Sequence, residues 1–133
     1  METPWTAKHP DGAGPDAFVM ASRFELKSAW RSPSFLMKSM RILRQTGRSP
    51  GLFGVSLRAY PLRGEFWTLS AWTGEDALRA FARTDPHRSI MKQAKPWTKS
   101  ATFRFWSAPS AGLSPRDLWK SAEQRIADGD PAQ

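Results

Sequence analysis

The chain has no cysteine, a single tyrosine, Tyr60, and only two histidines, His9 and His87. Without thiols there is no disulfide framework, no thiolate nucleophile and no thiolate metal site, and two histidines are too few for a self-sufficient metal cage. No run approaches the roughly 18 consecutive apolar residues of a membrane-crossing helix. The opening METPWTAKHPDGAGPD lacks the apolar centre of a secretory signal. These absences lead to the expectation of a soluble, cytoplasmic protein with no resident metal and no membrane partner.

What is present suits one packed domain: 133 residues, 40% of them apolar and 12% aromatic, enough for a core of ordinary size. The net charge of +8 raises the question of nucleic acid, because clustered cations gain affinity by releasing counterions from phosphate. The cations are spread out instead. Lys27, Arg31, Lys38, Arg41, Arg44 and Arg48 follow one helical segment and its approach, and Arg58, Arg63, Arg79, Arg83 and Arg88 stand singly. Solvated helix faces account for that pattern, so a nucleic-acid partner is not expected, while an anionic small molecule or acidic partner stays open.

Residues 1–16, rich in Pro, Gly and Asp, read as a loose arm. AFVMASRFEL, 17–26, alternates as a strand does. Ser32-Pro33, Asp85-Pro86 and Ser114-Pro115 each place a capping oxygen before a proline suited to the first helical position. The first predicts a helix over 33–46, with Leu36, Met40 and Leu43 inward and Gly47 as its stop. Residues 51–62 and 63–72 read as a hairpin around Pro-Leu-Arg-Gly. Thr73 with Asp76 forms a capping-box pattern for a short helix bearing Ala77, Leu78, Phe81 and Ala82; Asp85-Pro86 then breaks and restarts it, with Ile90, Met91 and Ala94 inward. ATFRFWSA, 101–108, is the last strand. A terminal helix follows, with Trp119, Ala122 and Ile126 on one stripe, and the tail after Asp128 should fray.

The resulting order, β-α-β-β-α-β plus a helix, is the ferredoxin-like α+β arrangement with an antiparallel sheet and both crossover helices on one face. The domain proper spans 17–108 and the C-terminal helix and tail 109–133. The strands, however, carry large apolar groups on both faces: Phe53, Val55 and Leu57 against Leu52 and Tyr60, and Trp67 and Leu69 against Phe66 and Trp72. Burying each such side chain contributes roughly 1.5–3 kcal/mol, so the second face needs cover. A second subunit facing it through its own sheet would supply that cover, making a homodimeric α/β barrel.

The stretch EFWTLSAWTGEDALRAFARTDPHRSIM, 65–91, resembles the antibiotic biosynthesis monooxygenase superfamily, whose members form dimeric α/β barrels. The resemblance covers about residues 17–107. The C-terminal extension is similar to that of a less characterised branch, and TFRFWSAPSAG is weakly similar to the spheroidene monooxygenase group. The resemblance implies a pocket within each protomer, between sheet and helices, and either cofactor-free oxygenation of polyketide quinones, haem degradation or no catalysis. Aligned through Trp72, the iron-ligating histidine and the porphyrin-distorting tryptophan of the haem-degrading branch fall at Met91 and Phe81. Neither residue type is kept, so no cofactor is expected and haem is the alternative.

His87 is the candidate general base. It opens a helix and shares a stripe with Ile90, Met91 and Ala94, which turns it toward the pocket, and a mainly neutral imidazole near its reference pKa of about 6.5 could accept a phenolic proton. The competing reading is a histidine bonded to a backbone carbonyl at the rim. Trp67, Trp72, Trp97 and Trp106, with Tyr60, could line a slot for a flat ligand or simply fill the core. Ser22, Ser56 and Ser70 suggest small polar groups on an inner surface, and Phe81 and Met91 join the candidate lining through the resemblance. Arg58 or Arg23 could stabilise a phenolate or enolate, or either could pair with Glu25 or Glu65 across the sheet. Two functions follow: a small oxygenase acting on a flat aromatic substrate, and a non-catalytic dimeric domain binding a metabolite or haem.

Overall fold

In a computed structural model, which describes residues 1–128, the chain forms one five-stranded antiparallel sheet and four helices. The elements are β1 (Thr6–Ala7), β2 (Asp16–Leu26), α1 (Ser32–Gly47), β3 (Leu52–Tyr60), β4 (Glu65–Trp72), α2 (Glu75–Ala82), α3 (His87–Ala94), β5 (Thr98–Pro109) and α4 (Pro115–Asp128). Their order across the sheet is β1-β3-β4-β2-β5, so β2 to β5 with α1 and the α2–α3 pair make the ferredoxin-like unit. The tail expected to fray lies outside the described residues.

Of the three Ser/Asp-Pro pairs, only one caps as the pattern predicts. Ser114 Oγ accepts the Asp117 amide at 3.3 Å, and Pro115 opens α4. Ser32 instead turns its hydroxyl outward from the helix to donate to Pro61 O (2.6 Å), tying α1 to the hairpin turn. Asp85 caps α3 from one residue further back than expected: its carboxylate accepts the Ser89 amide and hydroxyl, and Pro86, reached through a cis peptide, stands outside the helix. Thr73 is no cap either. Gly74 holds that position of α2, and Thr73 is drawn back into the β3–β4 layer by its amide bond to Gly51 O (2.7 Å).

The period of two sorts the strands as anticipated. Met20, Ser22, Phe24, Thr68, Phe66, Ser70, Val55 and Leu57 face α1 and α3, whereas Ala17, Val19, Ala21, Trp67, Leu69, Ala71 and Ser56 face the other way. That second face does not stand bare. It is covered by α4, whose Leu118, Trp119, Ala122 and Ile126 pack on Ala17, Val19, Ala21, Leu69 and Ala71 in one cluster. Arg104 Nε donates to Arg125 O, and Arg58 and Arg125 lie over the Trp119 and Trp106 rings. The chain thus shields by itself the layer for which a facing sheet of a second subunit was expected.

The N-terminal arm is not loose. Met1 N, Thr3 N and Lys8 N donate to Ala59 O, Leu57 O and Phe53 O, each at 2.8–2.9 Å, and Thr6–Ala7 pairs with β3. Glycine at 54 permits this: a Cβ there would run into the Trp5 indole, which lies flat over the strand and extends the α4 layer.

Candidate functional site

A cavity of about 70 Å³ lies between the inner sheet face and the helices. A sealed cavity of about 150 Å³ holds a benzene molecule, so this one admits only part of a ring. It is not sealed, however. Phe103, 39% exposed, lines it, so the cavity reaches solvent beside β5. Next to that mouth Phe105 is 44% exposed, stacked on Phe18 with centroids 5.8 Å apart, while Phe103 meets Phe24 edge-on at 5.6 Å. The outside of the mouth is therefore an aromatic strip.

The helical side comes from α1 and α3. α1 turns Phe35, Ser39, Ile42, Leu43 and Thr46 inward; α3 contributes His87 and Met91, and α2 contributes Phe81. The α2–α3 elbow is fixed by one side chain. Gln45 Nε2 donates to Phe81 O (3.3 Å) and Thr84 O (3.0 Å), and its Oε1 accepts the His87 amide at 2.7 Å. It thus ties a carbonyl of α2's last turn and one of the connecting turn to α3's first amide, a group of the kind that helix starts leave unpaired.

His87 is half-buried against Phe81, ring centroids 4.8 Å apart. Its Nδ1 lies 3.0 Å from Ala82 O. A carbonyl can only accept, so Nδ1 carries the proton and Nε2 is left with its lone pair. Among the described residues Nε2 has no hydrogen-bond partner. Burial pushes the imidazole below its ordinary value, and the bond to Ala82 O only partly opposes this, so the ring is neutral near pH 7. The sequence suggested a pKa close to the reference; desolvation moves it lower. The expected bond to a backbone carbonyl is present at one nitrogen, and the other is unpaired in a ring that lines the cavity.

Three hydroxyls complete the polar inventory of the sheet side. Ser22 Oγ and Thr68 Oγ1 share a short hydrogen bond, and Ser70 Oγ accepts from Trp72 Nε1 at 2.8 Å. With that acceptor role filled, the Ser70 proton can be offered to a ligand.

Of the residues singled out from the sequence, His87, Ser22, Ser70, Phe81 and Met91 line this cavity. Four others do not. Trp72 is fully buried behind it, packed on Phe81. Arg58, Trp67 and Tyr60 have the opposite strand parity. Arg58 is engaged by Glu2 and Glu123 over the Trp119 ring, Trp67 packs in the α4 layer, and Tyr60 sits at the hairpin end under Arg63. Ser56, also on that side, donates to Thr3 O. Arg23 pairs with Glu65 and Glu25, as the alternative reading had it. Arg58 accordingly cannot serve the cavity from where it is held.

Sequence reasoning missed Thr68, Ser39, Thr46 and Gln45. A signal existed for two of them. Ser39 and Thr46 stand four and eleven residues after Phe35, on its own helical stripe, and polar groups on an otherwise inward stripe point to a lined cavity rather than a plain core.

A haem does not fit this cavity: ligands of that size occupy several hundred Å³, against about 70 Å³ here. Among the described residues no group of three or more His, Cys, Asp or Glu side chains could hold a metal ion.

No protein-family model matches the chain, and no curated protein matches it significantly. Solved structures do. A variant of SnoaB from Streptomyces nogalater, described as a cofactor-independent oxygenase, aligns with TM-score 0.59 at 17% identity, covering 74% of this chain and 97% of SnoaB. A protein of Nitrosomonas europaea described as a candidate antibiotic biosynthesis monooxygenase aligns with TM-score 0.62 at 14% identity, covering 77% and 95%. The chain has the antibiotic biosynthesis monooxygenase fold. A conserved protein of Methanosarcina mazei Go1 shares it as well, with TM-score 0.61 at 13% identity over 68% of this chain and 90% of its own. In this chain β1 lies on the sheet edge and α4 on the outer face of the β2–β5 sheet.

Proposed function

We propose that the protein is a small monooxygenase-like enzyme that works without a resident cofactor on a flat, electron-rich aromatic substrate. The observation that carries this reading is the unpaired Nε2 of a neutral, half-buried His87 in a cavity of apolar and hydroxyl side chains that opens onto the Phe103–Phe105 strip. The reacting edge of a phenolic ring enters the cavity, and the remaining rings lie across the exposed phenylalanines, where offset stacking is favourable. SnoaB, described as a cofactor-independent oxygenase, lends support as a neighbour in fold.

In the proposed reaction Nε2 takes the phenolic proton. The phenolate passes one electron to O2, giving a phenoxyl radical and superoxide; these combine at a ring carbon, and the proton held by His87 completes a hydroperoxide. Loss of water leaves a quinone, so one phenol and one O2 become one quinone and one water. In this reading the Ser70 and Ser22–Thr68 hydroxyls stabilise charge on the substrate oxygen, worth a few kcal/mol per well-placed donor.

The test is oxygen consumption with a panel of anthrone- and hydroquinone-type substrates. His87→Ala is expected to lower turnover by about 10²–10⁴-fold, the range of general-base contributions, with the circular dichroism spectrum unchanged. Equal turnover in that variant removes His87 from the mechanism. Retained binding of the panel with no oxygen uptake in the native protein favours the second reading, a binding domain for flat metabolites.

A further inference from the structure

Three single-turn 3-10 segments, Ala29–Arg31, Pro61–Arg63 and Lys95–Trp97, meet at one end of the sheet. They are stitched together by Ser32 Oγ to Pro61 O (2.6 Å), Leu26 N to Gly64 O (2.8 Å) and Lys27 N to Trp97 O (2.8 Å). Gly64, at φ 64°, lets the hairpin turn close directly against Ala29. The outcome is a rigid tip, and its side chains are unusual for turns. Leu62 is 96% exposed at the apex and Trp30 is 71% exposed. Around them stand Lys27, Arg31, Arg63, Lys95 and Lys99, and residues 27–31, 61–64 and 95–99 contain no Asp or Glu. The nearby Glu65 carboxylate is held by Arg23, with Arg63 only at 4.0 Å.

We propose that this tip docks on an anionic phospholipid surface. An exposed leucine and tryptophan on a stiff turn gain by entering the headgroup boundary, where indole rings are at home, and the ring of cations meets acidic headgroups. No helix among the described residues is long and apolar enough to cross a membrane, so the attachment is peripheral. Single-stranded nucleic acid suits the tip less well. Base stacking needs free aromatic faces, yet Arg31 lies over both Trp30 (4.4 Å) and Trp97 (4.7 Å) and Lys38 over Trp97 (5.5 Å), and Leu62 offers a base no π face. A second copy brings the same sign of charge and is repelled.

The experiment is co-sedimentation of the full chain with vesicles of phosphatidylcholine alone and of phosphatidylcholine mixed with phosphatidylserine, at low and high salt. Binding is expected only to the mixed vesicles, weakening with salt. Leu62→Ser and Trp30→Ser are each expected to reduce affinity by about ten-fold, and Lys27→Gln, Lys95→Gln or Lys99→Gln by roughly five-fold apiece. All these side chains are exposed, so the variants keep the fold. Arg44→Gln with Arg48→Gln, at the far end of α1, should leave binding unchanged. Failure to sediment with the mixed vesicles overturns the proposal. So does an equal loss from the Arg44 and Arg48 changes, which would mean net charge alone, or tight retention of a single-stranded RNA that is abolished by Trp30→Ser.

Discussion

At Gln45 one amide group completes two helix ends that belong to other elements. Each hydrogen bond of this kind is worth about 0.5–1.5 kcal/mol, but the larger effect is on what the elbow holds. Gln45→Ala is expected to let water reach His87, moving its imidazole titration up toward the ordinary value of about 6.5, as followed by NMR of the ring protons. An unmoved titration would show that packing against Phe81 suffices. Because the folded-state pKa of His87 is lowered by burial, the unfolded chain takes up the proton more readily. Its contribution to stability is therefore full above about pH 6.5 and is lost as pH falls through the lower folded value. Denaturant midpoints should drop between about pH 7 and pH 5, and less steeply in His87→Leu; equal slopes would mean that the histidine is not held neutral. At this scale the sequence was partly legible. His87 could be placed on the inward stripe by helical spacing, but the partner that immobilises it is 42 residues away, and nothing in local pattern links the two.

At the scale of elements, strand parity was readable and helix destination was not. Ser22 and Ser70 fell on the cavity side and Ser56 on the other because register follows the two-residue period. Arg58, Trp67 and Tyr60 share a parity that alternation alone could have separated from Ser70, since Trp67 and Ser70 lie on opposite faces of β4. The apolar stripe of α4 was visible too; what the stripe would cover was not, because amphipathicity specifies a buried face but not its counterpart. Trp119 carries that packing, fully buried yet with an Nε1 that finds no acceptor. Trp119→Ala should cost about 3–5 kcal/mol by leaving a void. Trp119→Phe should be close to neutral, since it removes a buried donor without a partner. Chemical denaturation of both variants checks the pair, and a heavy loss from the phenylalanine would indicate that the indole nitrogen is satisfied after all.

For the whole molecule, the fold class followed from the order of elements, whereas the subunit arrangement rested on a face that α4 turns out to occupy. A chain ended at Leu113 would bare Val19, Leu69 and their neighbours. It should self-associate in sedimentation velocity at concentrations where the intact chain does not use that face; identical behaviour of the two would show α4 to be dispensable cover. The same economy appears at the sheet's margins. By lying along β3, the N-terminal residues leave only a two-residue strand at that margin, a poor template for further pairing. The twelve-residue β5 is the long margin left unpaired. Sheet-to-sheet growth between copies can therefore proceed through one strand per molecule, which lets two molecules join about a twofold axis and then stop. Releasing the first eight residues, for instance with a side chain in place of Gly54, would restore a second margin, and pairing through both margins would have no natural end.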